Sequence, residues 1–208
     1  MMIKQGEKIL FIGDSITDTE RNRDDFNDLG FGYPMFVASW FFAMYPDMNI
    51  QFINRGIGGN RVKDLKERWT HDCIELKPDW VSIFIGINDC WRRYDSNDPT
   101  HIDAFESDYR DILNQVKEKL NAKIIIIEPF VLPTSEDKIQ WREDLDPKIQ
   151  VVRKLAREFK TFFIPLDGLM ARLCTKKDPS FWAEDGVHPT FAGHAFIAQE
   201  WLKIVKAL

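Results

Sequence analysis

A serine, an aspartate and a histidine in this chain have the types and spacing that nucleophilic acyl transfer requires. Ser15 follows the apolar run Lys8–Gly13, and near the C-terminus Asp185 precedes His188 by three residues on a glycine-containing loop. A carboxylate at that spacing can hold an imidazole in one tautomer, so that its other nitrogen takes the proton of a serine hydroxyl. The three residues predict a nucleophile, a base and an orienting carboxylate.

Two further turns contain residues that can donate hydrogen bonds to a developing negative charge. They read Gly56-Ile57-Gly58-Gly59-Asn60 and Gly86-Ile87-Asn88-Asp89. Glycine lets backbone N–H groups approach a ligand closely, and the Asn88 side-chain amide is also a donor. These donors suit an oxyanion hole, although the residues alone do not choose between Gly58 and Gly59.

Apolar runs of β type alternate with helical patterns along the chain and must position these turns. The predicted strands are Lys8–Gly13, Ile50–Asn54, Trp80–Gly86, Lys123–Glu128 and Thr161–Pro165. The predicted helices are Tyr33–Tyr45, Arg61–Leu76, Asp103–Leu120, Pro147–Phe159 and Phe191–Val205. This alternation predicts an α/β fold, a three-layer α/β/α sandwich around a central five-stranded parallel sheet with right-handed crossovers. The strand-ending turns would then share the carboxyl edge of the sheet, where ligand crevices form.

Three polar segments are predicted to be long loops, of the kind that often carry function. They are Thr17–Gly32, Trp91–Ile102 and Pro129–Gln140.

Length and composition limit the classes of protein that fit. The chain has 208 residues, 44% of them hydrophobic, which suits one domain spanning residues 1–208. A formal net charge of -5 gives no general attraction for nucleic acid or for an anionic membrane. The three cysteines, Cys73, Cys90 and Cys174, form no CxxC motif and indicate free thiols, while the apolar N-terminal run is too short for a secretory signal. We therefore expect a cytoplasmic protein.

Four blocks of the sequence together resemble those of the SGNH hydrolase superfamily, also called GDSL-type esterases, in order and spacing. The blocks are Gly13-Asp14-Ser15, Gly59, Gly86-Ile87-Asn88-Asp89 and Asp185-Gly186-Val187-His188. Within that superfamily the stretches Gly6–Asp18, Lys77–Ile83 and His188–His194 resemble bacterial acetylxylan esterase-like members. One departure is Ile16, where the family name has leucine, and this change keeps the apolar character.

The resemblance implies a flavodoxin-like fold and a defined active site. Ser15 would be the nucleophile, Asp185 and His188 would complete a triad, and the oxyanion hole would comprise the N–H groups of Ser15 and Gly59 and the Asn88 amide. The implied reaction is the hydrolysis of short acyl esters, above all acetyl esters of xylo-oligosaccharides or related carbohydrates, without cofactor or metal.

Three other functions stay open at this point. A lysophospholipase or thioesterase would use the same chemistry on longer acyl chains. A carbohydrate-binding protein could retain the fold without catalysis, although binding alone needs no nucleophile and base. A nucleotide or phosphate binder would suit the glycine-rich turn at Gly56–Asn60, which nevertheless lacks both common phosphate-binding spacings.

The candidate substrate contacts are polar and aromatic residues near the blocks. We expect Asp18, Arg61, Trp91 and Tyr94 to contact the carbohydrate, with Arg21 and Arg92 on the same rim. An aromatic ring there can stack on a sugar ring or simply pack the loop.

Several chemistry-bearing residues also have purely structural interpretations. Ser15 can be a helix N-cap, Asn88-Asp89 a turn or helix cap, and Glu128 the partner of an arginine. His194 invites a metal-ligand hypothesis, but the absence of a zinc-type His/Cys cluster favours a structural role, and Cys90 has no evident base. The aromatic residues Phe36, Trp40, Phe41 and Phe42 indicate core or interface, so a homo-oligomer is a further expectation.

Overall fold

The computed structural model describes residues 1–208 and contains one parallel five-stranded sheet. The strands are β1 (Lys8–Gly13), β2 (Gln51–Gly56), β3 (Trp80–Phe84), β4 (Lys123–Ile127) and β5 (Phe162–Ile164). Their order is β2-β1-β3-β4-β5, and every neighbouring pair is parallel. The predicted sheet is confirmed. The largest differences from the predicted strand bounds are two residues: β2 continues through Arg55 and Gly56, which pair with β1, and β3 ends at Phe84 instead of Gly86.

Helices cover both faces of the sheet, which confirms the three-layer α/β/α sandwich. They are α1 (Ser15–Asp18), α2 (Tyr33–Met44), α3 (Val62–Trp69), α4 (Ile87–Asp95), α5 (Ile102–Lys119), α6 (Glu136–Gln140), α7 (Arg142–Phe159), α8 (Leu166–Cys174), α9 (Pro179–Trp182) and α10 (Phe191–Ile204). One apolar core packs α2, α8 and α10 against the sheet, and a second packs α3 and α5 against the opposite face. No helix combines the length and the apolar composition needed to cross a membrane.

The helix bounds differ from the predicted ones where tertiary packing extends or adds a helix. Helix α7 begins at Arg142, five residues before Pro147, because Trp141 and Leu145 are buried in the core. The segment predicted as a loop from Trp91 begins inside α4, whose aromatic residues pack on Trp141. The predicted loops at Thr17 and before Gln140 likewise overlap α1 and α6.

Three strands end at the same level of the sheet. Gly13 of β1 lies opposite Gly56 of β2 and opposite Phe84 of β3. The chain passes from β1 to β2 on one side and then to β3 on the other. At such a reversal of direction a crevice opens between the following turns, and Ser15, Gly59 and Asn88 all lie on these turns.

Candidate active site

The turn after β1 presents the Ser15 side chain to the crevice. Asp14 is the N-cap of α1, since its Oδ1 accepts a hydrogen bond from the Ile16 N–H at 3.0 Å. The alternative that Ser15 is the N-cap is therefore wrong. The Ser15 Oγ instead lies 3.0 Å from Nε2 of His188. A hydroxyl at this distance from an imidazole nitrogen can lose its proton to that nitrogen as it attacks a carbonyl carbon.

The loop before α10 fixes the histidine through the aspartate. Nδ1 of His188 lies 2.7 Å from Oδ2 of Asp185, while Oδ1 of Asp185 accepts from the backbone N–H groups of Val187 at 2.9 Å and His188 at 2.7 Å. Both carboxylate oxygens are thus held by their own loop. With the proton on Nδ1 facing Asp185, Nε2 is the basic nitrogen that faces Ser15.

The electrostatics of this pair suit a general base. The hydrogen bond to Asp185 raises the pKa of His188 above 6.5, although burial opposes the shift. Burial alone would raise the pKa of Asp185, but hydrogen bonds from His188 and Val187 outweigh it and lower that pKa to about 2. Asp185 is therefore ionised at neutral pH and can stabilise an imidazolium.

The turn after β2 distinguishes the two glycines that the sequence left open. The Gly58 N–H donates to Oδ2 of Asp18 at 3.0 Å, whereas the Gly59 N–H has no acceptor within the protein. Gly59 has a φ of +81°, a conformation that other residues rarely adopt. Of the two backbone amides, only that of Gly59 is available to a ligand.

Asn88 lies in the first turn of α4 and is 3% exposed. One hydrogen of its amide bonds the Asn60 carbonyl, with Nδ2 and O 3.1 Å apart. The second hydrogen remains available to a ligand. Its neighbour Asp89 accepts a hydrogen bond from the N–H of Val62, the first residue of α3, at 3.1 Å. A helix-capping role, one of the structural interpretations of Asn88-Asp89, therefore applies to Asp89 and not to Asn88.

Arg68 is a positioning residue that the sequence analysis missed. Its guanidinium donates to the Gly13 carbonyl at 3.1 Å, to the Arg55 carbonyl at 2.8 Å and to Oδ1 of Asn60 at 2.8 Å. It therefore joins the ends of β1 and β2 to residues 57–60, the turn that carries Gly59 and is called the oxyanion turn below. The one signal in the sequence is Asp72, four residues further along, which pairs with Arg68 at 2.8 Å.

Two of the four predicted substrate contacts do not lie on the rim. Asp18 is 7% exposed and holds the Gly58 N–H and the Arg23 guanidinium. Arg61 is 8% exposed and donates to the Asp98 carbonyl at 3.2 Å. The physical reason is that a buried charged side chain must be paired, so both side chains form hydrogen bonds to neighbouring loops and expose little surface to solvent. Arg21 is likewise buried, on the Gly56 carbonyl.

The two predicted aromatic contacts differ in position. The half-buried Trp91 ring lies beside the imidazole of His188, with centroids 5.6 Å apart. The Tyr94 ring stacks on Trp141, and its hydroxyl donates to the Gln140 carbonyl at 3.2 Å. Trp91 therefore borders the site, while Tyr94 packs α4 against α7.

The remaining candidates have structural roles. Nδ1 of the buried His194 accepts from the Tyr33 N–H at 3.1 Å at the start of α2, and burial lowers its pKa to about 4. Burial raises the pKa of the Cys90 thiol, so that it is a poor nucleophile. Glu128 pairs with Arg153 at 2.6 Å, as its structural interpretation predicted.

The chain is similar to known proteins over nearly its whole length. A model of the GDSL-like lipase/acylhydrolase family matches residues 11–196. An acetylxylan esterase from Geobacillus stearothermophilus is 39% identical over 211 residues, which cover 98% of this chain and 95% of that protein.

Solved structures agree with the sequence matches. The crystal structure of Axe2, an acetylxylan esterase from Geobacillus stearothermophilus, has a TM-score of 0.91 at 38% identity and covers 99% of this chain and 96% of its own. A protein from Parabacteroides merdae described as a GDSL-like lipase has a TM-score of 0.93 at 34% identity, covering 99% and 98%. Three solved structures are of catalytic mutants of Axe2 in which a serine, an aspartate or a histidine is replaced by alanine. That aspartate precedes that histidine by three positions, as Asp185 precedes His188 here.

Proposed function

We propose that this protein removes acetyl groups from xylo-oligosaccharides through an acyl-Ser15 intermediate. The starting point is that the chain belongs to the GDSL-like lipase/acylhydrolase family and is a carboxylic ester hydrolase. The observation that carries the proposal is the continuous hydrogen-bonded series from Ser15 to His188 at 3.0 Å and from His188 to Asp185 at 2.7 Å. The acetylxylan esterase relative supports the choice of acyl group and sugar.

Each residue of the site has one role in the proposed reaction. Oγ of Ser15 attacks the ester carbonyl carbon while Nε2 of His188 takes the hydroxyl proton, and Asp185 stabilises the imidazolium. The N–H groups of Ser15 and Gly59 and the Asn88 amide donate to the carbonyl oxygen as it becomes negative. His188 then protonates the departing sugar oxygen. In the second half, His188 takes a proton from water, which attacks the acyl-serine and releases acetate.

The surroundings of the base favour a short acyl group. The side chains of His188 and Asp185 are 46% and 44% exposed, so the triad lies in an open depression. Both residues line a cavity of about 340 Å³, together with Glu184, Pro189 and Thr190. None of these five lining residues has a large apolar side chain, so an alkyl chain inside this cavity would bury little apolar surface and gain correspondingly little binding free energy.

A chain-length series tests the proposal. We expect kcat/KM to fall from 4-nitrophenyl acetate through the butyrate to the octanoate, and acetylated xylo-oligosaccharides to release acetate faster than the aryl ester. An optimum at octanoate or beyond would contradict the proposal and favour the lysophospholipase or thioesterase alternative. Sugar binding without any ester hydrolysis would favour a binding protein.

We also infer a cytoplasmic location and self-association. The three cysteines are free thiols, which is typical of proteins in a reducing compartment. Trp40 and Phe42 on α2 are 50% and 44% exposed, and they offer an apolar surface to a second copy of the chain. Sedimentation of the wild type and of Trp40→Ala checks the second inference, which a monomeric wild type would contradict.

A further inference from the structure

A second cavity continues from the triad along the surface. It has a volume of about 570 Å³ and shares Glu184, Pro189 and Thr190 with the cavity that contains Asp185 and His188. The two cavities therefore form one groove. His188, whose Nε2 lies 3.0 Å from Oγ of Ser15, lines the near end of this groove.

Two phenylalanine rings line the far end of the groove. Phe31 is 57% exposed and Phe191 is 73% exposed. Isolated apolar side chains on a protein surface are common and need no explanation. Two large rings lining one cavity that adjoins a catalytic centre are different, because together they form an apolar surface that a ligand can cover.

The backbone that carries Phe31 is fixed, although its ring is exposed. Its N–H donates to the Thr19 carbonyl at 2.9 Å. The flanking glycines approach so closely that a Cβ on Gly30 would lie 2.4 Å from the Asp18 carbonyl oxygen, and one on Gly32 would lie 2.4 Å from the Thr19 hydroxyl. The exposure of the ring is therefore a property of a tightly packed segment and not of a loose loop.

Phe191 is held with similar precision. It is the first residue of α10, whose N-cap Thr190 accepts from the Gly193 N–H at 3.3 Å and donates its own N–H to the Trp182 carbonyl at 2.9 Å. Both rings thus have fixed attachment points before any ligand binds, which reduces the conformational entropy lost on binding.

The polar residues of the groove indicate the chemistry of the ligand. The carboxylates of Glu20 and Glu184 line the groove, and no lysine or arginine does. His194 in its wall is neutral at physiological pH, because burial lowers its pKa to about 4. Such a groove disfavours phosphate or carboxylate ligands. It suits a neutral molecule with apolar ring faces and many hydroxyl donors, and a pyranose has both.

We propose that this groove is a subsite for the sugar units adjacent to the acetylated unit, with Phe31 and Phe191 stacking on pyranose faces and Glu20 and Glu184 accepting from hydroxyls. This inference rests on the proposed function and assigns where the unreacting part of the oligosaccharide binds. Binding free energy from these remote units is available to stabilise the transition state at Ser15.

The test compares substrates that do and do not reach the groove. For wild type, Phe31→Ala and Phe191→Ala, kcat/KM is measured on acetylated xylobiose, xylotriose and xylotetraose and on 4-nitrophenyl acetate. We expect the wild-type value to rise with oligosaccharide length. In each variant, the ratio of the tetraose value to the aryl acetate value should fall about tenfold, the effect of removing one aromatic contact. Phe42→Ala removes a ring that is also exposed but lies outside the groove, and this ratio should not change.

Two outcomes would overturn the inference. One is a wild type whose kcat/KM is independent of oligosaccharide length. Another is an unchanged ratio in both groove variants. If that unchanged ratio comes with a changed sedimentation coefficient, the two rings belong instead to a contact between copies of the chain. If the wild type cleaves the aryl acetate but no acetylated sugar, the proposed function itself has failed.

Discussion

Replacing Asp18 with alanine should impair catalysis, because the Asp18 carboxylate holds the turn that carries Gly59. Its Oδ2 accepts the Gly58 N–H at 3.0 Å, and its side chain is 10% exposed. A hydrogen bond to a charged group contributes about 1.5–3 kcal/mol. If losing the bond to Gly58 displaces the Gly59 N–H and removes that much stabilisation from the transition state, the rate falls roughly 10- to 150-fold. The upper end approaches the loss of one whole oxyanion donor, about 100- to 1000-fold. We therefore expect kcat for 4-nitrophenyl acetate to fall within the first range.

Steady-state kinetics at constant pH separate this positioning role from others. KM should change little, because an oxyanion donor acts mainly in the transition state. Asp18→Asn keeps an oxygen for Gly58 and should retain most of kcat. Asp28→Ala is a matched control, since Asp28 holds the N–H groups of Asn22 and Gly30 and none in the oxyanion turn. A kcat within threefold of wild type in folded Asp18→Ala, or a change confined to KM, would refute the reasoning.

Two further predictions concern the oxyanion and the base. Asn88→Ala should lower kcat by roughly 100- to 1000-fold with little change in KM, and stopped-flow acylation rates would show whether the loss is in the chemical step. The acid limb of kcat/KM should have an apparent pKa above 6.5, since Asp185 raises the pKa of His188 and activity needs the neutral imidazole. Asp185→Asn should shift the apparent pKa of this acid limb to lower pH and reduce the rate by several orders of magnitude. An acid limb that keeps its apparent pKa would mean that a group other than His188 titrates.

The sheet and the positions of the blocks could be predicted because they depend on local features of the sequence. A nearly continuous apolar run such as Lys123–Ile127 indicates by itself a strand that is buried on both faces of a sheet. Parallel strands then place the turns that follow them at one edge of that sheet. The position of Ser15, Gly59 and Asn88 at one edge of the sheet could be predicted from that geometry and from the family resemblance.

The supporting side chains could not be predicted, because their roles depend on which loops meet in space. Asp18 and Arg61 have the composition of surface residues, and only the fold shows that both are buried and paired across loops. Arg68 lies in a helix with nothing in its spacing to connect it to the Gly13 carbonyl. Helix α4 has a polar sequence, and what stabilises it is the packing of Trp91 on the distant Trp141.

The most direct test of the account is mass spectrometry of the protein after inactivation by a serine-directed organophosphonate. We predict one adduct, located on Ser15, that forms in proportion to the loss of esterase activity. Ser15→Ala should take up no adduct and should lose nearly all hydrolysis, about a millionfold for a triad that acts as a unit. An adduct on another residue, or full activity in Ser15→Ala, would contradict the central claim that Ser15 carries the acyl group.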